Sequence, residues 1–223
     1  GEITPKIVEQ ALTKRTKLVA LASANFCSGY RIDLESIGAL CAERGVLFSV
    51  DAIQTLGAFP IALDRIDFLS AGAQKWILGP SGAGVLYVKN SRRDLLRPAT
   101  IGGWNVQSRN FIAQREIKYA PGGQKFEPGA YYHCAIAGLG AAVELLLEVG
   151  PGQITERILS LTEALEREIT PAGFEFLSPE EENKRSGFLT FRHPKIPTDR
   201  FLEALLKNDA VVSLRFDRGD RSW

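Results

Sequence analysis

Two side chains in the first half of the sequence could do chemistry together, the carboxylate of Asp51 and the amine of Lys75. Asp51 ends the apolar run 46–50, and Lys75 follows the apolar run 66–70 through a segment of small residues. A carboxylate at the carboxyl end of a buried strand points into the crevice where open α/β sheets bind ligands. An amine partly desolvated by an apolar strand and by Trp76 becomes nucleophilic. Each residue alone also fits an ordinary place, a turn cap for Asp51 and a solvated surface position for Lys75.

Two further features accompany this pair. Gln54 lies three residues after Asp51 and would share its side if a helical turn begins there. Residues 79–84 read Gly-Pro-Ser-Gly-Ala-Gly. Their GxxGxG spacing differs from the GxGxxG dinucleotide fingerprint, and no Gly-Lys-Ser/Thr of a Walker A loop follows. By itself this run predicts a tight turn between strands.

Alternating strands and helices must position these residues. Apolar runs predict strands at 17–23, 46–50, 66–70 and 85–88. The last connection is too short for a helical crossover, so we expect that strand to run antiparallel to its neighbour. A helix should begin at the N-cap Asp33 and end near Gly45.

The later part of the chain changes character at Gly150-Pro151-Gly152. A helix is expected before this break, over 135–148, and a second one carries an apolar stripe from Ile154 to Ile169. Beyond them the sequence predicts the following elements: a strand over 187–192, a helix capped near Thr198 or Asp199, and a strand over 211–216. We therefore expect an α/β domain with a mostly parallel sheet over residues 1–150 and a small α+β domain over 151–223.

In their order along the chain, these motifs resemble the class V aminotransferase family of fold type I pyridoxal-phosphate enzymes, which includes cysteine desulfurases, kynureninases and isopenicillin-N-epimerase-like proteins. The resemblance rests on these residues: strand-Asp51-x-x-Gln54, Gly57 and Pro60, Asp67-Phe68, Gln74-Lys75-Trp76, Gly79-Pro80-x-Gly82-x-Gly84, Phe126-Glu127-x-Gly129 and Gly138-Leu139-Gly140. It implies the large domain of that fold, incomplete here at its N-terminal part, followed by the small C-terminal domain.

The resemblance also implies roles. Lys75 would form the Schiff base with pyridoxal 5'-phosphate and then act as the base that moves the substrate's α-proton. Asp51 would pair with the protonated pyridine nitrogen, which keeps the ring an electron sink. Gln54 would hydrogen-bond the phenolic oxygen or the Schiff-base region, and Gln74 would contact the phosphate. Either Ser23 or Asn25 would contact the ring.

Two substrate contacts are implied more weakly. Trp104 resembles a pocket-lining tryptophan of kynureninase-like members, although a core tryptophan under a long loop fits the sequence equally well. Arg215 could bind a substrate carboxylate through its guanidinium group, although the arginine that does so in relatives usually lies further along the chain.

Some family positions differ here. Gly72 and Ala73 stand where relatives often carry a phosphate-binding serine, and Ala130 replaces a threonine that desulfurases use for the phosphate of the other subunit. No cysteine follows Cys134, which we interpret as a small buried residue. This disfavours desulfurase activity and leaves transaminase, lyase or epimerase chemistry on a small-molecule amino acid.

Net charge and cysteine spacing exclude some classes of binding partner and site. A formal net charge of +1 predicts no nucleic-acid binding and no attachment to an anionic membrane. The three cysteines, Cys27, Cys41 and Cys134, are widely spaced, so neither a disulfide framework nor a metal site is expected, and a cytoplasmic location is favoured. The resemblance implies a homodimer with a shared active site.

The sequence begins with Gly1 and contains no methionine. We expect it to be part of a longer chain. The alternative function is that of a catalytically incomplete fragment of this fold that serves as a dimerising interaction module. A doubly wound nucleotide-binding domain is disfavoured because no phosphate-loop motif is present.

Overall fold

A computed structural model describes residues 2–107 and 116–208. Within them a four-stranded sheet carries the candidate residues. Its strands lie in the spatial order β1-β2-β3-β4. The strands are β1 (Leu18–Ala22), β2 (Leu47–Asp51), β3 (Phe68–Gly72) and β4 (Gly84–Val88).

Strand directions decide where the candidate residues meet. β1, β2 and β3 run parallel, so their carboxyl ends lie at one edge of the sheet. Asp51, the last residue of β2, is paired in register with Ala22 of β1 and with Ser70 of β3. β4 runs antiparallel to β3, which confirms the expectation drawn from its short connection.

Two helices pack near the first strands. Helix α1 (Pro5–Ala11) contacts α2 (Leu34–Glu43), and α2 packs on β2. As predicted, Asp33 is the N-cap of α2, and its carboxylate accepts a hydrogen bond of 2.9 Å from the Ser36 amide. The hydrophobic core between sheet and helices is built from fully buried side chains, among them Ile37, Cys41, Phe48, Val50 and Ile66.

Helices α3 (His133–Val149) and α4 (Pro151–Ile169) are joined at Gly150, where φ is +93° and the chain bends by 80°. α3 reaches the main core through Leu139 and Leu146. α4 packs Ile158 and Leu159 on the turn that follows β2. In the described part of the chain no single helix is long and apolar enough to cross a membrane, and only the bent pair passes that test when taken together.

Short elements fill the remainder. β5 (Glu175–Phe176) pairs antiparallel with β6 (Phe191–Arg192), and α5 spans Thr198–Lys207. Within residues 2–107 and 116–208 there are four 3-10 helices: Asn90–Leu95, Gly122–Phe126, Thr170–Ala172 and Glu182–Lys184.

Three predictions about this C-terminal part need comment. The strand predicted over 187–192 contains only β6 at its end. Before it, the Thr190 amide donates to the Ser178 hydroxyl, a side-chain bond that takes the place of a backbone ladder, and the Thr190 hydroxyl donates to the Cys27 carbonyl in the loop after β1. The predicted cap of α5 was wrong, since Pro197 is the N-cap residue and no side chain caps the helix. The strand over 211–216 lies outside the described residues, and the domain division at residue 150 stays a prediction.

Candidate functional site

The turn after β2 presents Asp51 at the carboxyl edge of the sheet. Asp51 is exposed, and its Oδ1 accepts a 3.0 Å hydrogen bond from the Ile53 amide. Its backbone carbonyl accepts hydrogen bonds from the amide of Ser23 at 2.9 Å and from its hydroxyl at 3.1 Å. The backbone of the acid is therefore fixed, while the carboxylate remains open to solvent or to a ligand.

Ser23 and Thr55 form a buried pair beneath this turn. Their hydroxyl oxygens lie 2.6 Å apart, and both residues are almost completely inaccessible. The Ser23 hydroxyl thus supports the Asp51 turn from below. Asn25 is exposed, and its Oδ1 accepts hydrogen bonds from the amides of Cys27 and Ser28 within its own loop. Sequence reasoning missed Thr55. Its only distinguishing feature is its hydrogen bond with Ser23, which lies 32 residues earlier and cannot be recognised from the sequence.

Gln54 is buried, with 6% of its surface exposed, and its amide oxygen has no hydrogen-bond partner among the described residues. An unsatisfied buried polar group costs about 1–3 kcal/mol. The two ends of an amide can be exchanged by a rotation, so either an acceptor or a donor can be presented here. Gln54 therefore suits a polar ligand group above the Asp51 turn, in agreement with a ring oxygen of the implied cofactor.

The turn after β3 presents Lys75. The Lys75 carbonyl accepts from the Leu78 amide at 2.9 Å, and the Ala73 carbonyl accepts from the Gly79 amide at 2.9 Å. Leu78 has a φ of +60°, a left-handed conformation that costs an L-residue energy. Lys75 itself is exposed, so the desolvation expected from Trp76 and the preceding strand is not provided by the described residues.

The two turns touch. A Cβ atom placed on Gly57 would lie 2.6 Å from the carbonyl carbon of Trp76, the residue after Lys75, and would overlap the carbonyl oxygen. Gly57 has a φ of +98°, which favours glycine for a second reason. This contact places the turn that begins with Asp51 directly against the turn that carries Lys75.

Gln74 lies beside Gly72 in the same turn. A Cβ atom on Gly72 would lie 2.5 Å from the Gln74 Oε1, so the glutamine amide occupies the space above that glycine. This is the position at which relatives often carry a serine. An exposed amide at this place can donate to an anionic group.

The glycine-rich run after Lys75 packs on α3. A Cβ atom on Gly138 would lie 2.8 Å from Cγ of Pro80, and one on Gly79 would lie 3.5 Å from the Leu139 Cα. Gly82 has a φ of +87°. The run thus closes the connection 73–83 between two antiparallel strands and enters β4 at Gly84, so it is the end of a longer connection and not the tight turn that its spacing predicted. It packs on small residues of α3.

The segment between β4 and α3 contains Trp104. This residue is 40% exposed, and its ring centroid lies 5.7 Å from that of Tyr131, so the alternative of a core tryptophan is wrong. Its neighbour Asn105 is fully buried, and its Nδ2 donates to the carbonyls of Thr100 and Lys125. Arg215, the other weakly implied substrate residue, lies outside the described residues.

Asp67 of the family motif is paired and buried, and Cys134 differs from expectation. Asp67 is buried, and it accepts hydrogen bonds from the Phe48 amide at 2.9 Å and from Arg92 Nε at 2.8 Å. Asp67 therefore ties the sheet to the 3-10 helix after β4. Cys134 was interpreted as small and buried, yet it is exposed near the start of α3. Among the described residues no cluster of three His, Cys, Asp or Glu could hold a metal ion.

Comparison with known proteins identifies the family to which this sequence is similar. The profile of the aminotransferase class-V family matches residues 1–219. A probable cysteine desulfurase of Borreliella burgdorferi is 32% identical over 167 residues, which cover 73% of this chain and 39% of that protein. A probable cysteine desulfurase of Chlamydia trachomatis is 31% identical over 199 residues, which cover 88% and 48% respectively. The chain thus spans less than half the length of these relatives.

Solved structures agree on the fold. The apo structure of a cysteine desulfurase from Thermococcus onnurineus superimposes with a TM-score of 0.85 at 24% identity, over 95% of this chain and 52% of that chain. A variant protein with glycine covalently linked to its pyridoxal-phosphate cofactor gives a TM-score of 0.81 at 23% identity, over 95% and 56%. The predicted α/β, fold type I architecture is confirmed.

Proposed function

The chain belongs to the class V aminotransferase family, whose cofactor is pyridoxal phosphate, and from this premise we propose that Lys75 binds that cofactor covalently and moves a proton at the α-carbon of an amino-acid substrate. The observation that carries the proposal is the contact between the Asp51 turn and the Lys75 turn at Gly57 and Trp76. It brings one acid and one amine to the same edge of the sheet.

The residues of this chain divide the work by their chemistry. When bound, the cofactor draws electrons away from the α-carbon of the amino acid joined to it. The Asp51 carboxylate would accept a hydrogen bond from the ring nitrogen and keep it protonated. The Gln54 amide oxygen, which is buried without a partner among the described residues, would pair with a polar substituent of the ring. The Lys75 amine would hold the cofactor and would take up the proton removed from the α-carbon.

The phosphate is proposed to lie near Gln74. With Gly72 and Ala130 in place of the hydroxyl residues of relatives, the Gln74 amide above Gly72 is the side chain available on this turn. Trp104 is proposed to line the substrate pocket, since its partly exposed ring contacts Tyr131 and lies on the segment before α3. Asn25, exposed after β1, is proposed to approach the ring, with Ser23 supporting the Asp51 turn instead.

Cysteine desulfuration stands as a second candidate beside transamination, elimination and epimerisation, because both curated relatives are named probable cysteine desulfurases. The described cysteines differ in suitability. Burial, and then the charge of Asp67, raise the pKa of the Cys41 thiol, which removes it from consideration as a nucleophile. Cys134 is exposed. Free cysteine as substrate separates the candidates, since desulfuration yields alanine and transamination yields a keto acid.

The test is chemical capture. The protein should show a visible absorption band with pyridoxal phosphate, and borohydride should fix the cofactor on the peptide that contains Lys75. Lys75→Ala should lose the fixed cofactor and reduce turnover by about 10²–10⁴-fold, the usual contribution of a proton-transferring group. Lys14→Ala, at another exposed lysine, is the matched control and should change neither.

Two results would contradict the proposal. Borohydride fixation on a different lysine would remove Lys75 from its role. A colourless protein that nevertheless dimerises would favour the interaction-module alternative. We also propose a homodimer, and analytical ultracentrifugation with and without cofactor would measure it.

A further inference from the structure

The Lys75 turn is held from two sides through Trp76. On one side the backbone of Trp76 lies against Gly57. On the other side its indole ring lies against Gly187. A Cβ atom placed on Gly187 would lie 2.5 Å from both Cζ2 and Cη2 of that ring, closer than real carbon contacts come. Gly187 is therefore in full contact with the indole, although it is 111 residues further along the chain (187 minus 76).

Residues 184–190, here called the strap, cannot simply move away from the indole. The Ser186 hydroxyl, which is buried, donates to the Gly29 carbonyl at 2.7 Å. The Arg31 amide donates to the Lys184 carbonyl at 2.7 Å, and the Thr190 hydroxyl donates to the Cys27 carbonyl. These bonds fix the strap to the loop that follows β1.

The Arg31 side chain adds a further tie. Its Nε donates to the Arg185 carbonyl at 2.9 Å, while its guanidinium carbon lies 4.5 Å from the centre of the Phe59 ring. Burial lowers the pKa of this guanidinium, but the group stays charged at any physiological pH because its ordinary value is so high. Arg31 thus joins the strap to the turn after β2, the same turn that contains Asp51.

Two apolar side chains pack near the indole, which stays partly exposed. The Phe188 ring meets it edge-on with centroids 6.3 Å apart. Ile158 of α4 lies within the same small cluster, and its Cγ2 would be 3.2 Å from a Cβ at Gly187. An added methyl group at position 187 must therefore displace the indole, and the backbone of Trp76 continues directly into Lys75.

We propose that Gly187 is a positioning residue for Lys75 and acts through the indole of Trp76. The strap of the C-terminal part sets where the amine of the large domain lies. An effect of Gly187 on catalysis rests on the proposed function, whereas its effect on the position of the Lys75 amine does not.

The experiment replaces Gly187 by alanine. Its φ lies outside the left-handed region, so the backbone accepts alanine and the overlap with the indole is the change being tested. The first readout is the acetylation rate of the Lys75 amine in the cofactor-free protein, measured by peptide mass spectrometry relative to Lys14. The second is the pH at which the visible band of the cofactor-loaded protein changes.

Gly152→Ala is the matched control, because a Cβ atom there meets nothing within 4 Å. Trp76→Phe in the Gly187→Ala background removes the outer ring carbons that overlap and serves as the rescue variant. We expect Gly187→Ala to lower the turnover by roughly tenfold, since a displacement of 1 Å at a reacting group costs up to about 10²-fold, and to change the relative Lys75 acetylation rate measurably. Both should return toward the wild-type values with the second substitution.

The outcomes are separable. An unchanged Lys75 rate in folded Gly187→Ala, or a change that Trp76→Phe does not reverse, overturns the positioning role. If wild-type protein fixes no cofactor on Lys75 while its amine still responds to Gly187→Ala, the proposed function fails and the positioning role survives. If Gly187→Ala does not fold, the Lys75 acetylation rate is compared between the double variant and Trp76→Phe alone. If Gly187→Ala and the double variant lose folding equally, the indole is not the group that the methyl displaces, and the positioning role is contradicted.

Discussion

The turn after β2 and the turn after β3 are neighbours at the same sheet edge, yet they are held in different ways. The first is fixed by hydrogen bonds, with Ser23 and Thr55 buried beneath Asp51. The second is fixed by shape, because Gly57 and Gly187 let Trp76 pack closely on both sides, and Leu78 is kept in a left-handed conformation. Under the proposed function, the Asp51 carboxylate would need a fixed direction for an ionic hydrogen bond, while Lys75, which would bind and release its partner, would need a fixed backbone and a free amine.

Gly57→Ala should have the largest effect on stability, since it breaks the contact between the two turns. The substitution adds strain at a φ of +98° and forces a methyl group into the Trp76 carbonyl. We expect a loss of about 3 kcal/mol in the free energy of unfolding, the sum of strain and overpacking at the upper end. Urea titration followed by circular dichroism would measure it.

Gly45→Ala separates backbone strain from the steric overlap with Trp76. Gly45 also has a positive φ, of +64°, but a Cβ atom there meets nothing within 4 Å. It should lose about 1–2 kcal/mol from strain alone. Equal losses at both positions would mean that the contact with Trp76 adds nothing.

Thr55→Val tests the hydrogen-bonded turn. Valine keeps the shape but removes the hydroxyl that meets Ser23, which leaves a buried group without one partner. The expected loss is about 1–2 kcal/mol. The double variant with Ser23→Ala forms a double-mutant cycle, and we expect losses that are clearly less than additive. Additive losses would show that the two hydroxyls act independently.

Leu78→Gly should have the smallest effect, and of opposite sign. Glycine adopts the left-handed conformation without the penalty paid by leucine, and the leucine side chain is 64% exposed, so little packing is lost. We expect a gain of about 0.5–1 kcal/mol. Leu95→Gly, at an exposed leucine without a positive φ, should lose a similar amount. A loss of stability at both positions would mean that Leu78 is not strained in the lysine turn.

The sequence was informative where local pattern decides structure. Apolar runs and the short connection before β4 predicted the sheet, and the Asp33 cap predicted helix α2, whereas helix α1 was not predicted. The family motifs around Asp51 and Lys75 led to two turns that do touch. These features depend on neighbours within a few residues, or on spacing that the chemistry of a ligand constrains.

Contacts between distant segments could not be predicted in this way. Gly187 has no side chain and belongs to no hydrophobic pattern, so nothing in the sequence connects it with Trp76. Arg92 lies in a charged run that predicts a solvated loop, yet its partner Asp67 is buried at the start of β3. The exposure of Cys134 was mispredicted for the same reason, since exposure depends on which elements cover a position.

The long separation between Trp76 and Gly187 has a consequence for synthesis in the cell. The two residues are 111 positions apart (187 minus 76), and chains are made at about 5–20 residues per second. The lysine turn therefore leaves the ribosome about 5–20 s before the glycine that completes its support. On the proposed roles of Lys75 and Gly187, a nascent chain would retain the vitamin-derived group firmly only after residue 187 has been made, so cofactor capture would be a late event of maturation.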